Sequence, residues 1–465
     1  MNNRSNQLQQ LFREGSDLLQ AGNAAEALGR FQTARTIDSS NAILHLYTGA
    51  VLHDLGRFEE AIACYRLALV IAPSMGEAYN NLGNSLLALG RLSEAADSFL
   101  HATMLLPASP VPLTARATAL QAVGNIAEAE ADCRKALKID PAFAAAHWNL
   151  ALNLLLQGSY TEGWQEYEWR WLKPGFTSPC RHADVPLWDG SPLDGRTILL
   201  HAEQGFGDAI QFMRYAPLVA QRGGAVIIEC HPELVQLVRS VEGIHAVVPF
   251  GAQLPQFSCQ APLLSLPRIF GTTLQSIPSH CPYVSINSEF RERWAALTSA
   301  HPADLRVGLV WAGKSYPDPL RSCRLAEFAP LATTQNVTFY SLQRGNGSEQ
   351  VGYPPPGMSL IDLTGQIKDF ADTAALIEQL DLVISIDTAV AHLAGALGKP
   401  VWLMLPFAPD WRWLLDRSDS PWYPTMEIFR QKQSGDWGDV MLRIDVALEA
   451  WMGINKKSFE DAPKD

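Results

Sequence analysis

Three short stretches of this 465-residue chain carry residue types able to do chemistry. In the first, an apolar run at 382–386 ends in Asp387-Thr388, and a small-residue helix is predicted from Ala389, with His392 about one turn in. Strand, polar tight turn and helix N-terminus together present free backbone N–H groups to an anion. In the second, Gly205-Phe206-Gly207-Asp208 follows an apolar run at 197–202 and leads into a helix. An aspartate opening a helix satisfies orphan N–H groups as a cap. At the rim of a cleft the same carboxylate can accept a proton from an attacking hydroxyl, and both roles can hold at once. The third stretch, 311–325, puts Lys314, Arg321 and Ser322 in a loop after a strand. Fixed cations facing a helix N-terminus are what a diphosphate leaving group requires.

Other chemistries fit less well. Gly205-Phe206-Gly207 after a strand, with Glu229 ending the next, suggests a dinucleotide fingerprint. The third small residue of that fingerprint falls on Ile210, too large for close helix–strand packing. The seven cysteines include no C-x-x-C pair and the α/β part holds no Asp-x-Asp pair, so neither a metal site nor a cofactor is expected. A formal charge of −12, from 48 acidic and 36 basic residues, argues against sequence-independent nucleic-acid binding. No run approaches the ~20 apolar residues needed to span a bilayer, and residues 1–15 have no signal-peptide core. The expected setting is the cytoplasm, with reduced thiols.

The elements positioning these residues alternate strand and helix from 196 onward, which predicts parallel sheets. One series occupies 196–302 and carries Asp208; a second occupies 303–452 and carries Lys314 and Asp387. The interval 280–303 is read as a hinge and 453–465 as a polar tail. Two facing α/β halves place a ligand cleft between the C-terminal ends of their strands.

Upstream the period changes. Ala27, Ala61, Ala95 and Ala129 recur every 34 residues, each followed four later by Phe31, Tyr65, Phe99 or Cys133 and preceded twelve earlier by Gly15, Gly49, Gly83 or Ala117. This is the tetratricopeptide pattern of stacked helix pairs. A fifth unit from Ala144 ends in Trp164, Tyr167, Trp169 and Trp171, read as a capping helix. The array is thus placed at 1–172, with a linker at 173–195. Asn81, Asn84 and Asn149 lie on first helices, which generally line the concave face, where asparagine can bond the backbone of an extended peptide. In this the array resembles that of the O-GlcNAc transferases, whose groove carries an asparagine ladder. Here the ladder is partial.

Residues 362–404, DLTGQIKDFADTAALIEQLDLVISIDTAVAHLAGALGKPVWLM, closely resemble the nucleotide-sugar half of the heptosyltransferase-like glycosyltransferases, a family with the B-type fold. EQGFGDAIQFMRY (203–215) resembles that family's Gly-Asp motif. From about 8 to 440 the chain looks like the bacterial branch that fuses tetratricopeptide repeats to this domain. The resemblance implies two Rossmann-like halves and a metal-independent, inverting transfer of a hexosyl or heptosyl group from a nucleotide-sugar co-substrate. It implies Asp208 as the base, Asp387, Thr388 and His392 at the donor diphosphate or adjoining sugar, and Lys314 facing the phosphates, with Arg321 and Ser322 beside it. Ala389 stands where the family has glycine. Gln343, Trp411 and Trp413 are read as a wall for the nucleobase or acceptor, with core packing the alternative for the tryptophans. The expected partners are a nucleotide-sugar and a protein or peptide acceptor recruited by the repeats, and a chain starting near Ser178 is expected to keep donor binding. The rival reading is a repeat scaffold carrying a catalytically silent relic.

Overall fold

The computed structural model describes residues 2–301, 303, 305–314 and 319–460. The chain forms two compact units, one of Met1–Leu154 with Leu172–Pro174, the other of Leu155–Trp171 with Gly175–Asp465.

The first unit is a solenoid of helix pairs: Asn2–Gln20 with Ala24–Ile37, Ala42–Asp54 with Phe58–Ile71, Gly76–Ala88 with Leu92–Leu105, and Pro110–Ala122 with Ile126–Ile139. The 34-residue spacing shows its cause directly. A Cβ added at Gly49 would lie 2.6 Å from the Tyr65 ring, and one at Gly83 would lie 2.6 Å from Phe99. The bulky residue of each second helix therefore fills the notch left by the small residue of its own partner helix, rather than the gap to the next unit. Those rings and the repeating alanines are almost wholly buried. Gly22, Gly56, Gly90, Gly124 and Gly158 close turns at φ of 72–85°, where a side chain is strained.

The second unit holds two parallel sheets. Strands β1 (Thr197–His201), β2 (Ala225–Cys230), β3 (Ile244–Pro249) and β4 (Cys259–Pro262) lie in the order β3-β2-β1-β4. Strands β5 (Leu305–Val310), β6 (Val337–Ser341), β7 (Leu360–Asp362), β8 (Leu382–Ile386), β9 (Val401–Leu405) and β10 (Met426–Arg430) lie in the order β10-β9-β8-β5-β6-β7. All pairings in both sheets are parallel. This is the two-half architecture of a B-type glycosyltransferase fold. The β8–β5 adjacency is the point where strand order reverses, and open α/β sheets bind ligands outside the carboxyl ends of strands there.

Several boundaries differ from the sequence reading. Residues 155–171, expected as the end of the array, belong to the α/β unit: Tyr160, Trp164 and Tyr167 are buried and the Trp164 indole donates to Thr272 O at 3.0 Å. Half of the interval 280–303 is the helix Ser288–Ser299, tied to the helix Phe370–Glu378 by Arg291–Glu378 and by the Trp294 indole on Asp372 Oδ1 at 3.1 Å. Residues Leu325–Thr333 form a 3-10 run and not an α-helix, because Pro330 lacks the N–H an α-helix needs. The final helix runs Trp437–Glu460, into the expected tail, whose residues 461–465 lie outside those described. Among the described residues no helix is long and apolar enough to cross a membrane.

Candidate active site

Each singled-out residue of the α/β unit lies at or beyond the carboxyl end of a strand. Asp208 follows β1, Lys314 follows β5, Gln343 follows β6, Asp387 follows β8 and the Trp411–Trp413 turn follows β9. Parallel strands make this outcome general, since every strand then delivers its loop to the same edge.

Asp208 is the third residue of the helix Phe206–Phe212, whose N-cap is Gly205, and its Oδ2 accepts the Gly205 N–H at 2.8 Å. It is thus a cap that reaches back rather than the N-cap itself. Its other oxygen, Oδ1, accepts from Arg412 Nη2 at 2.5 Å. Burial pushes the carboxyl above the ordinary aspartate range, with Arg412 and the Gly205 N–H opposing that push. Helix Phe206–Phe212 lies against helix Ala389–Ala396, and Gly207 permits the approach: a Cβ there would lie 2.9 Å from His392 Cδ2. The loop of one half that carries Asp208 therefore touches the helix that opens the turn of the other.

At that turn Thr388 is the N-cap, with φ −144° and no side-chain cap bond, and its Oγ1 lies 3.3 Å from Ser385 Oγ. The first-turn amides of Ala389 and Val390 are therefore left uncapped by a side chain. Asp387 accepts the Trp413 indole N–H at 2.9 Å and lies 3.7 Å from His392 Nε2. Burial, then the charge of Asp410, raises its carboxyl to about 6, while Trp413, Arg412 and Arg321 oppose. Arg321 therefore lies near enough to Asp387 to act on it. Its guanidinium also donates to Lys314 O at 3.1 Å, which ties these two residues together. Lys314 is exposed. Residues 315–318 of that loop lie outside those described.

Other expected contacts are redirected. His392 is buried, its Nδ1 bonded to Tyr423 OH at 2.9 Å, and burial holds its imidazole well below the ordinary value, hence neutral. It supports Asp387 from behind instead of meeting a phosphate as a cation. Ser322 Oγ accepts the Gly313 N–H at 3.0 Å, a bond internal to the loop. Gln343 is no ligand wall: its amide accepts Trp311 N–H and Ala312 N–H and donates to Ala312 O and Asn346 O, pinning two loops together. Trp411 packs on Trp164 and Tyr167, at centroid distances of 5.2 and 6.2 Å, and Trp413 stacks on His392 at 5.4 Å. Both are buried, so core packing prevails over a nucleobase wall. In the solenoid, Asn149 donates to Thr114 O and Thr118 Oγ1, which removes its amide from a ladder. Asn81 lines a cavity of about 540 Å³ with Tyr47 and Asn80, and Asn84 is half-buried.

The residue the sequence reading missed is Arg412, which also bonds Gln211 Oε1 at 2.6 Å and Asp410 Oδ1 at 2.9 Å. Its signal was present as the lone cation inside Pro409-Asp410-Trp411-Arg412-Trp413, where the tryptophans drew the notice. Arg170, buried and bonded to Glu203 just before the Gly-Asp loop, was likewise unread.

Comparison with known proteins agrees with this architecture. Residues 328–402 match the family described as glycosyltransferase family 9 (heptosyltransferase). Residues 12–76 and 114–170 match one tetratricopeptide-repeat family and 76–108 another. The chain joins tetratricopeptide repeats to a C-terminal domain of glycosyltransferase family 9. Protein FlbA of Caulobacter vibrioides is 26% identical over 352 residues, covering 68% of this chain and 58% of FlbA. The chain thus spans less than two thirds of that relative's length. Among solved structures, PilF of Pseudomonas aeruginosa is 23% identical with a TM-score of 0.34, covering 36% of this chain and 76% of PilF. MamA of Desulfovibrio magneticus is 16% identical with a TM-score of 0.33, covering 35% of this chain and 92% of MamA.

Proposed function

We propose that this protein is an inverting, metal-independent glycosyltransferase that moves a sugar from a nucleotide-sugar to an acceptor, most naturally a protein bound by the repeats. The observation that carries the reading is the convergence of Asp208 from one half and the Asp387–Ala389 turn from the other, bridged by Arg412 and Trp413. The donor lies on the second half. Its diphosphate meets the uncapped amides at Ala389 and Val390 together with Lys314 and Arg321, which stabilise charge as the glycosidic bond breaks. Asp387, a carboxyl beside an anion site, is suited to donor sugar hydroxyls more than to phosphate oxygens. Asp208 takes the proton of the attacking hydroxyl. The solenoid suits an extended chain, and the cavity at Tyr47, Asn80 and Asn81 offers amides for a peptide backbone.

The test is Asp208→Asn measured beside a thermal-shift screen of ADP-, GDP-, UDP- and CMP-sugars, since a ligand binding only the native state raises its melting temperature. The variant should bind the same nucleotide as the parent and lose about 10²–10⁴-fold in transfer. Near-parental transfer by the variant would reduce Asp208 to a helix cap. Nucleotide binding without transfer to any acceptor, by the parent itself, would favour the silent scaffold.

A further inference from the structure

We propose that Arg412 is the positioning residue of Asp208: from the donor half it grips the base-bearing helix of the other half and sets its guanidinium against the carboxylate. The inference rests on Asp208 being the proton acceptor. Its geometric support is the division of labour among three consecutive residues. Trp411 packs into the aromatic cluster of Trp164 and Tyr167, Trp413 donates to Asp387, and Arg412 between them turns to Phe206–Phe212. One guanidinium there meets Asp208 Oδ1 through Nη2, Gln211 Oε1 through Nε and Asp410 Oδ1 through Nη1. Asp208 and Gln211 lie three apart on one helix face, so two contacts fix both the position and the rotation of that helix. The planar fork of arginine sends donors from three nitrogens to three separated acceptors, whereas lysine offers its three donors from a single nitrogen. The guanidinium is itself held in place, stacked over Trp411 with its carbon 4.4 Å from the ring centroid.

The electrostatics call for such a residue. The charged and titratable groups acting with Asp208 are Asp410 from the same turn, Glu203 before the Gly-Asp loop, His231 after β2 and Tyr167 from the 160–167 helix. Asp410 and Glu203 are carboxyls, Tyr167 is a buried phenol, and burial lowers the His231 imidazole toward its neutral form. Arg412 is the cation in contact. Burial pushes the Asp208 carboxyl toward its protonated form, Arg412 is the largest influence opposing that push, and only the ionised form can serve as a base.

The experiment follows the carboxyl itself in the full chain labelled with [13Cγ]aspartate, the Asp208 resonance being assigned by its loss in Asp208→Asn. Arg412→Gln should raise the Asp208 titration midpoint by about one pH unit or more, the scale of a lost ion-pair partner. Arg412→Lys should shift it much less while lowering the melting temperature. If Arg412→Gln does not fold, Arg412→Lys carries the test, with a smaller rise of the midpoint as the expected result. A folded variant with an unchanged midpoint overturns the proposal, and so does a lowered one, because loss of packing alone would admit water and lower the midpoint rather than raise it. Failure of the base reading would be seen separately, as sugar transfer surviving in Asp208→Asn.

Discussion

Arg170 Nη2 meets Glu203 Oε1 at 2.9 Å and Arg170 Nε meets Glu203 Oε2 at 3.2 Å, with both side chains buried. Arg170 also donates to Ser265 Oγ and to Glu168, and Gln204 Nε2 donates to Tyr167 OH at 3.1 Å. The segment 160–171 therefore underlies the loop that carries Asp208. A chain starting at 178 would leave Glu203 as an unpaired buried charge and remove the Trp164 ring from the core, so it should lose donor binding along with its fold. It should be insoluble or molten, whereas a chain starting near 140 should fold. Arg170→Ala in the full chain should cost about 3–5 kcal/mol, as breaking a buried pair does. Urea unfolding measures it, and a loss under about 1 kcal/mol would mean that water or a neighbour replaces the pair.

Gly207→Ala should damage the site without touching a charged group. The added methyl would press on His392 Cδ2 at 2.9 Å, and His392 cannot retreat because its ring stacks on Trp413 and bonds Tyr423. Overpacking of this kind costs about 1–3 kcal/mol. The melting temperature should fall, and nucleotide affinity should fall with it. An unaltered melting temperature would show that the two halves separate freely enough to admit a methyl group.

Lys314→Ala and Arg321→Ala should each weaken a nucleoside diphosphate by roughly tenfold and leave the free nucleoside nearly unaffected, since a charge-assisted contact contributes about 1.5–3 kcal/mol. Calorimetry with both ligands decides the matter. Arg321 should show the added effect of loosening the loop, because it holds Lys314 O. Equal losses for nucleotide and nucleoside would assign the pair to the fold.

Asp387 predicts a pH dependence whose sign follows from its raised carboxyl. Its value of about 6 lies above that of an unfolded aspartate, so the native state binds the proton more tightly. The stabilisation is complete below the unfolded value near ~4 and is lost as pH rises through about 6. Asp387→Asn should remove this slope, and relative to the parent it should gain on the order of 2 kcal/mol between pH 4 and 7.5. Parallel melting curves for parent and variant across that range would exclude a raised carboxyl. Diphosphate binding by the parent should also tighten below pH 6, where the carboxyl facing the anion turn is neutral.

The features legible in the residue order are local and periodic. A 34-residue recurrence imposes helix pairs, because a ring on one helix needs a notch on its partner, and Gly49–Tyr65 obeys that requirement within a few dozen residues of chain. Apolar runs bounded by glycine and polar residues specified β1, β2, β5, β8 and β9, and the turn after β8 followed from strand, polar pair and helix in immediate succession. Short or weakly patterned strands such as β4, β7 and β10 were not legible, since their pairing comes from neighbours already in the sheet. The tertiary structure alone decided which side chains share a site. Arg412 and Asp208 are separated by some two hundred residues, and no spacing rule links them; a parallel sheet in each half delivers their loops to facing edges. The fate of the tryptophans turned on the same cause. Trp411 and Trp413 have the composition of a ligand wall, but burial and partners assign them to the core, and those become known only once the chain has folded.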